Sequence, residues 1–453
     1  MPSSQASKEV KKEQARAISI REGAFSSAAT AFGTTYIAPF ALALKATATQ
    51  IGLLNSLSSL AAPLAQLVGT HLLERSQRKR IVLSLIGIQA LLWVPLALLA
   101  FLFHNLIGGT AMIYLLIITY TAIAALGGLL YPAWFSWIGD IINKQQRGNY
   151  FSKRNLVAGI VEIAATVISL IILRVYEPRG AVVLAYGLFF LAAAVARFNA
   201  YRIVQRQYDP PFKLPKKAYF SLWAFIRRYD NFGKFAVYQC FFHLALMIAS
   251  PFFIVYMARE LGFSPTMYIT ISLSGSVFHL LFLPIVGKIS DKYGNRRLLI
   301  ISNICFVLSP LAWIVIRNPI GILLVPQLIA GIANAAFGIG FTNFTYDSVS
   351  QRHRPLCIAY TSILIGIGTF LGSLLGGLLL DYTTSFASPF FFVFGLAAAL
   401  RLIVALLFLP AIKEEKRVTP LPVHFHIGHP FKTMHAEAAW LSHLIVLLPR
   451  RKV

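Results

Sequence analysis

The sequence predicts an all-α membrane protein, with twelve transmembrane helices arranged as two pseudo-symmetric six-helix bundles. Three observations predict it. The 453 residues are 57% hydrophobic and only 13% charged, with mean hydropathy +0.69, whereas a soluble chain carries about 25% charged residues. Apolar runs of about 18 residues or more, long enough to cross a bilayer as a helix, recur along the chain. Features of the first half return in the second at an offset that drifts between 204 and 220 residues. Lipid satisfies no backbone polar group, so the spans must be helices and not open sheets.

Residues 1–21 are polar and basic, lack a signal-peptide pattern, and are expected to form a cytoplasmic N-terminus. The first bundle, 22–201, has spans at about 22–44, 51–72, 81–103, 110–138, 155–173 and 181–201. Pro132 predicts a kink in span four. The linker 202–232 carries Pro210, Pro211 and Pro215 and separates the halves. Within it, 217–229 reads as an amphipathic helix on the inner leaflet. The second bundle, 233–410, has spans at about 233–257, 266–286, 298–316, 320–345, 355–379 and 388–410. The tail 411–453 is expected in the cytoplasm, with an interfacial helix at 437–447.

The net charge of +25 is distributed by topology. Of 41 Lys and Arg, 35 fall in segments assigned to one side, among them Arg197 with the basic flank of the linker; Lys45, Arg174, Arg179, Arg259 and Arg317 fall on the other, and Arg401 lies inside a span. This bias places both termini in the cytoplasm, with the protein in the cell membrane. The charge therefore implies anionic inner-leaflet lipid as a partner and argues against nucleic acid. Cys240, Cys305 and Cys357 make neither a metal spacing nor a disulfide framework. His424, His426 and His429 lack a Cys or acid to complete a metal set, so no metal or cofactor is expected. His243 and His279 form no His box, and no Ser-His-Asp pattern sits at an interface, which argues against an enzyme.

The stretch Gly287-Lys288-Ile289-Ser290-Asp291-Lys292-Tyr293-Gly294-Asn295-Arg296-Arg297 turns tightly between two spans. A weaker copy, Glu74-Arg75-Ser76-Gln77-Arg78-Lys79-Arg80, lies 217 residues earlier (291 − 74). The pattern resembles the signature loop of the major facilitator superfamily, Gly-x-x-x-Asp-Arg-x-Gly-Arg-Arg. Lys292 replaces the first Arg, Asn295 stands in place of a basic residue, and Gln77 replaces the Gly of the first copy. The resemblance covers about 18–411. It implies a monomeric secondary transporter that moves a small-molecule substrate by rocker-type alternating access.

Asp140-x6-Arg147 and Asp347-x6-Arg354 resemble the acid-x6-Arg element of sugar porters, although a Pro-Glu-Ser motif after span six is absent. The resemblance implies a cytoplasmic gate of Glu74, Arg75, Asp140, Arg147, Asp291, Arg297, Asp347 and Arg354. These would pair across the halves in the outward-open form and separate on opening inward. Solvated loop charge that holds topology is the other reading.

In this fold spans one, four, seven and ten line the path. They nominate Thr30, Thr34 and Tyr36, then Tyr120, then Tyr238, Gln239 and His243, then Gln327 and Asn334. Gln327, Gly331, Asn334 and Gly338 make a polar and small stripe on one helix face. Interhelical hydrogen bonding, worth about 0.6 kcal/mol per contact, is the competing role. Gly368, Gly372 and Gly376 offer a surface for close helix packing. Glu162 stands alone in span five, and an acid near a helix centre costs about 2.5–3.5 kcal/mol on insertion scales. It is nominated as the proton-coupling or substrate-charge site, with Glu22, which can reach water at the end of span one, second. A salt bridge from Glu162 to Arg197, or a protonated Glu bonded to a neighbouring helix, are the structural readings. The expected function is proton-coupled secondary transport; a proton-independent facilitator, or a receptor or scaffold, are the alternatives.

Overall fold

The computed structural model describes residues 2–102, 109–142, 147–210, 230–350, 353–383 and 388–415, with Trp223, Phe225 and Arg227 between. His424, His426, His429, the segment 437–447 and most of 217–229 lie outside the described residues. Every described regular element is helical: α1 (Pro2–Ala29), α2 (Thr35–Ala43), α3 (Ala48–Arg75), α4 (Arg78–Leu102), α5 (Thr110–Ile141), α6 (Arg147–Tyr176) and α7 (Val182–Gln205). Then come α8 (Asn231–Met247), α9 (Phe253–Arg259), α10 (Pro265–Tyr293), α11 (Asn295–Val315), α12 (Pro319–Ser348), α13 (Arg354–Tyr382) and α14 (Pro389–Phe408).

These make twelve rod-like segments, because α1 with α2, and α8 with α9, each form one interrupted rod. Eleven of the twelve are long and apolar enough to cross a membrane. The first is less apolar, because Ser26, Ser27, Thr30, Gly33, Thr34 and Thr35 dilute its hydrophobic run, and it is helical from Pro2, so residues 2–21 extend the rod instead of forming a separate segment. Its interruption is a π-turn over Thr30–Thr34. The second interrupted rod bends at a 3-10 turn, Ser250–Phe252, where Pro251 has no N–H to continue the helix. By contrast α5 continues as helix through Pro132.

Local chemistry sets the helix starts. Thr47 and Gln50 form a reciprocal capping box on α3. Ser264 and Asn318 cap α10 and α12, each followed by Pro at the first turn. The turn between α10 and α11 is one residue, Gly294, at φ 91°, a conformation only glycine adopts cheaply.

Packing partners fall into two sets. Within α1–α7, α3 packs on α5, α4 on α7, and α1 on α6 and α7. Within α8–α14, α10 and α11 pack on α12, and α8 packs on α13 and α14. The glycines of α13 explain one of these contacts. A Cβ at Gly368, Gly372 or Gly376 would run into the carbonyl oxygens of Cys240, Leu244 and Ile248 on α8.

The sets meet mainly along α3 and α13. Gly52 lies against the Ser373 carbonyl, Asn55 Nδ2 donates to Ser373 Oγ at 2.5 Å, and Ser56 Oγ donates to the Phe370 carbonyl at 2.8 Å. We call the end holding residues 76–77, 206–210 and 294 the basic end, and the opposite one the far end.

At the far end each set caps a helix of the other. Asp381, at the end of α13, accepts from the backbone N–H of Ala48 at 3.1 Å and Thr49 at 2.7 Å, the first turn of α3. Glu177, after α6, accepts from Thr266 N at 3.0 Å and Thr266 Oγ1 at 2.5 Å, the first turn of α10. The two acids stand 204 residues apart (381 − 177), within the repeat offset read from the sequence. Each puts a carboxylate where helix N–H groups are unpaired and the dipole is positive. The Tyr186 and Tyr268 hydroxyls at 3.1 Å, and Arg259 donating to the Ala46 carbonyl, close the same end.

Candidate functional site

The π-turn of the first rod opens a polar pocket. An extra residue per turn bulges the helix over Thr30–Thr34. Gly33 lets the Trp93 ring lie flat on this bulge, where any Cβ would overlap it. Beside it is a cavity of about 230 Å³ lined by Ser26, Ala29, Thr30, Thr34, Gln89, Trp93, Tyr120, Ile123, Ala124 and Arg197. It thus joins Thr30, Thr34 and Tyr120, nominated from the sequence, with Ser26, Gln89 and Arg197, which were not.

Arg197 is the centre of the polar wall. Its Nε and Nη2 donate to Gln89 Oε1 at 3.0 and 2.5 Å, and its Nη1 donates to Ser26 Oγ at 2.6 Å. Gln89 is held in turn, its Nε2 donating to the Ile123 carbonyl at 2.9 Å. Ser26 passes the contact on, its hydroxyl donating to Glu22 Oε1 at 2.6 Å. The other Glu22 oxygen meets Arg154 Nη2 at 3.2 Å. Arg154 also lies over the Trp134 ring at 4.6 Å and passes Gly23, which has no side chain to obstruct it. Glu22 is 4% exposed, so it does not sit in water as its position near a span end implied. Arg197 engages Gln89 and Ser26, and the bridge to Glu162 weighed from the sequence is not among its described contacts.

Glu162 is exposed, yet it lies on the face of α6 that carries buried residues. Leu156, Ile160 and Ile171 of α6 are 64%, 59% and 59% exposed and mark its outer face. Ile171 follows Glu162 by nine residues, which at about 100° per residue is the opposite side of the helix. Glu162 shares its face with buried Ala165, Ser169 and Leu173. A Cβ on neighbouring Gly159 would touch nothing within 4 Å, so this part of the face is not packed against another helix. On α12, Asn334 and Gly338 are likewise exposed, and a Cβ at Gly338 would meet open space. Gln327 and Gly331 of the same stripe instead pack on α10, against Gly275, Phe278 and His279.

Three nominated residues lie in the packed interior. Tyr36 is fully buried among Tyr186 and Phe189. Tyr238 is fully buried and accepts from Asn303 Nδ2 at 2.5 Å. Gln239 is fully buried beside it. Span seven packs on α13 and α14. His243 is half-buried, with Nδ1 at 2.9 Å from the Gln239 carbonyl.

At the basic end Arg78, 1% exposed, donates to Asp140 at 2.6 Å and to the Ser136 and Pro210 carbonyls at 3.2 and 3.1 Å. Asp209 lies 3.6 Å from it, and burial pushes this carboxyl's pKa up, against the pull of Arg78 and Lys79. The second set repeats the motif with a neutral residue: Asn295 Nδ2 donates to Asp347 at 2.8 Å and its Oδ1 accepts from Ser290 at 2.6 Å. Arg297 lies over Tyr293 at 5.6 Å, and Asp291 is exposed on the last turn of α10. The described contacts of Asp140 and Asp347 thus stay within their own sets. The side chains of Glu74, Arg75, Arg147 and Arg354 lie outside the described residues.

A family model described as Major Facilitator Superfamily matches residues 23–242 and 235–449. Multidrug resistance protein 1 of Bacillus subtilis (strain 168) is 27% identical over 173 residues, 38% of this chain and 43% of that one. Tetracycline resistance protein, class H, of Pasteurella multocida is 29% identical over 133 residues, 29% of this chain and 32% of that one. Quinolone resistance protein NorA of Staphylococcus aureus is 24% identical over 185 residues, 41% of this chain and 45% of that one. The chain spans less than half the length of these curated relatives. Among solved structures, the nucleoside transporter NupG superposes with TM-score 0.59 at 18% identity, covering 89% of this chain and 99% of that one. The POT family transporter PepTSo gives 0.63 at 13% identity, covering 87% and 97%.

Proposed function

The chain belongs to the major facilitator superfamily of membrane transporters, and from that membership we propose that it is a proton-coupled exporter of small organic molecules, working by alternating access. The names of the curated relatives, which concern drug, tetracycline and quinolone resistance, support the substrate class and the direction. The basic end is read as cytoplasmic, following the positive-inside bias. On that reading the far-end caps seal the outside, and the exposed Glu162, Asn334 and Gly338 are read as facing a path open to the cytoplasm.

The observation that carries the reading is the exposed acid on a helix face that carries buried residues. Glu162 is exposed within an apolar span beside the unpacked Gly159, and it is read as the place where a proton and a substrate compete. The buried Glu22 is the second proton site. Arg154 of α6 faces it directly, Arg197 of α7 through Ser26, and Tyr150 lies nearby through Ser19. In liposomes with an imposed pH gradient, wild type should concentrate a fluorescent drug-like probe such as ethidium. Glu162→Gln should keep exchange but lose concentration. Equal concentration by Glu162→Gln and wild type across pH 5–8 would falsify Glu162 as the coupling site.

A further inference from the structure

We propose that the pocket beside the π-turn binds an anionic group, of the carboxylate or sulfonate class, on Arg197. The inference rests on the transporter reading and names the chemistry of a group that this pocket of the first set takes. Charge is the first argument. The connected cluster Arg154–Glu22–Ser26–Arg197 holds two guanidinium groups and one carboxylate. Arg154 meets that carboxylate directly, while Arg197 meets only a hydroxyl and an amide oxygen. Arg197, which lies within a membrane span, thus has no carboxylate among its described contacts, and an ion without a counter-charge is costly there. An anion in the cavity supplies the missing charge.

The second argument is hydrogen-bond capacity. A guanidinium has five N–H donors, and three of those on Arg197 are used, by Gln89 Oε1 twice and Ser26 Oγ once. One N–H remains on each Nη nitrogen, and a planar fork suits the two oxygens of a carboxylate or sulfonate. Arg197 also lines the cavity itself.

The third argument is the comparison within the chain. Arg401 lies 204 residues on (401 − 197), at the matching place in the repeat. It is 1% exposed and its fork is filled by backbone: Phe306 O at 2.7 Å, Leu246 O at 2.8 Å and Ala245 O at 3.4 Å, with Ser250 Oγ also at 3.4 Å. The Ala245 and Leu246 carbonyls end α8, where the 3-10 turn interrupts the helix, and the Phe306 carbonyl belongs to α11. Arg401 is thus a helix cap. The π-turn of the first rod gives Arg197 no such row of carbonyls, and it faces a cavity instead.

Size and lining narrow the ligand. About 230 Å³ is below the roughly 300–1,000 Å³ of drug-sized pockets. It suits a small ring with one charged group, or the anionic end of a longer molecule. Trp93 and Ile123 supply the apolar wall for the ring.

The test uses purified full-length protein in detergent and three probes of one shape: benzenesulfonate, neutral benzenesulfonamide and cationic benzylammonium. Benzenesulfonate should raise the melting temperature, and the other two should not. Gln89→Glu places a carboxylate on the guanidinium and should weaken benzenesulfonate by about tenfold or more, the worth of a charged hydrogen bond. Arg197→Lys keeps the charge, loses the fork and should weaken it less. Equal stabilisation by the sulfonamide, a larger effect of benzylammonium, or undiminished binding by Gln89→Glu overturns the proposal. Benzenesulfonate binding without flux of any probe in proteoliposomes supports the pocket and rejects the transporter reading. Ethidium flux with no benzenesulfonate effect supports the transporter and rejects the anion site.

Discussion

Changing Asp381→Asn and Glu177→Gln together removes the charge from both far-end caps without changing side-chain shape. Each carboxylate takes two hydrogen bonds at the first turn of a helix from the other set. An acid at an exposed helix N-terminus contributes about 0.3–1 kcal/mol, and a charged acceptor outweighs a neutral one by roughly 1 kcal/mol before solvent screening. With Asp381 exposed and Glu177 half-buried, a screened value of about 1 kcal/mol per cap is appropriate. Both caps break in the same transition, so the effects add to about 2 kcal/mol, or roughly thirtyfold in the equilibrium between far-end-closed and far-end-open forms. Spin labels at positions 45 and 317, exposed residues in different sets at that end, read the change by pulsed electron resonance. The double variant should gain a longer distance population, and each single variant a smaller one. If the double variant melts lower but keeps the wild-type distance distribution, the caps are static stabilisers and the gating argument is refuted.

Arg401→Met should lower the melting temperature well beyond Arg401→Lys, because it leaves the α8 carbonyls uncapped while Lys still supplies a cation; circular dichroism melts in detergent compare them. Gly372→Val forces a side chain into the Leu244 carbonyl and should destabilise by about 1–3 kcal/mol, visible as loss of monodisperse protein on size exclusion. For Asp209 the folded form favours the protonated carboxyl over the ordinary value of 3.8. Its favourable contribution is present below that value and lost as pH rises through the raised one. Asp209→Asn should therefore melt higher than wild type at pH 7, with the advantage gone near pH 4.

The helix count and the repeat were legible because each rests on a run of residues. Hydropathy marks a span whatever its partners, and Gly294 must turn the chain wherever its neighbours pack. Asn295 was visible as a departure from the motif. Its contact with Asp347 was not, since that needs α11 placed beside α12. The far-end caps were hidden for a similar reason. Glu177 and Asp381 are ordinary loop-end acids in sequence, and their acceptors are backbone N–H groups of distant helices. The π-turn had no signal, because Thr30-Ala31-Phe32-Gly33-Thr34 contains no proline. Arg197 reads in sequence as part of the basic flank of the linker. Its isolation among Ala192–Ala196 and its match to Arg401 were the features that mark it as an intramembrane charge. Tyr238 and Gln239 have the spacing of a lining face, but periodicity does not tell whether a polar face meets a cavity or another helix.

Arg401 also sets an order on biosynthesis. Ribosomes make the chain from its N-terminus, so α8 and its broken end are in the membrane long before the residue that caps them. Until α14 is inserted, the carbonyls of Ala245, Leu246 and Phe306 wait without their guanidinium. The cap on α8 therefore forms only in a late step, after the last span is inserted. A chain cut after Tyr382 retains α8 and α13 yet lacks the cap, and should be recognised and degraded by membrane quality control. Supplying 383–453 as a separate polypeptide should rescue it, because the missing part is one contact surface and not a folding domain.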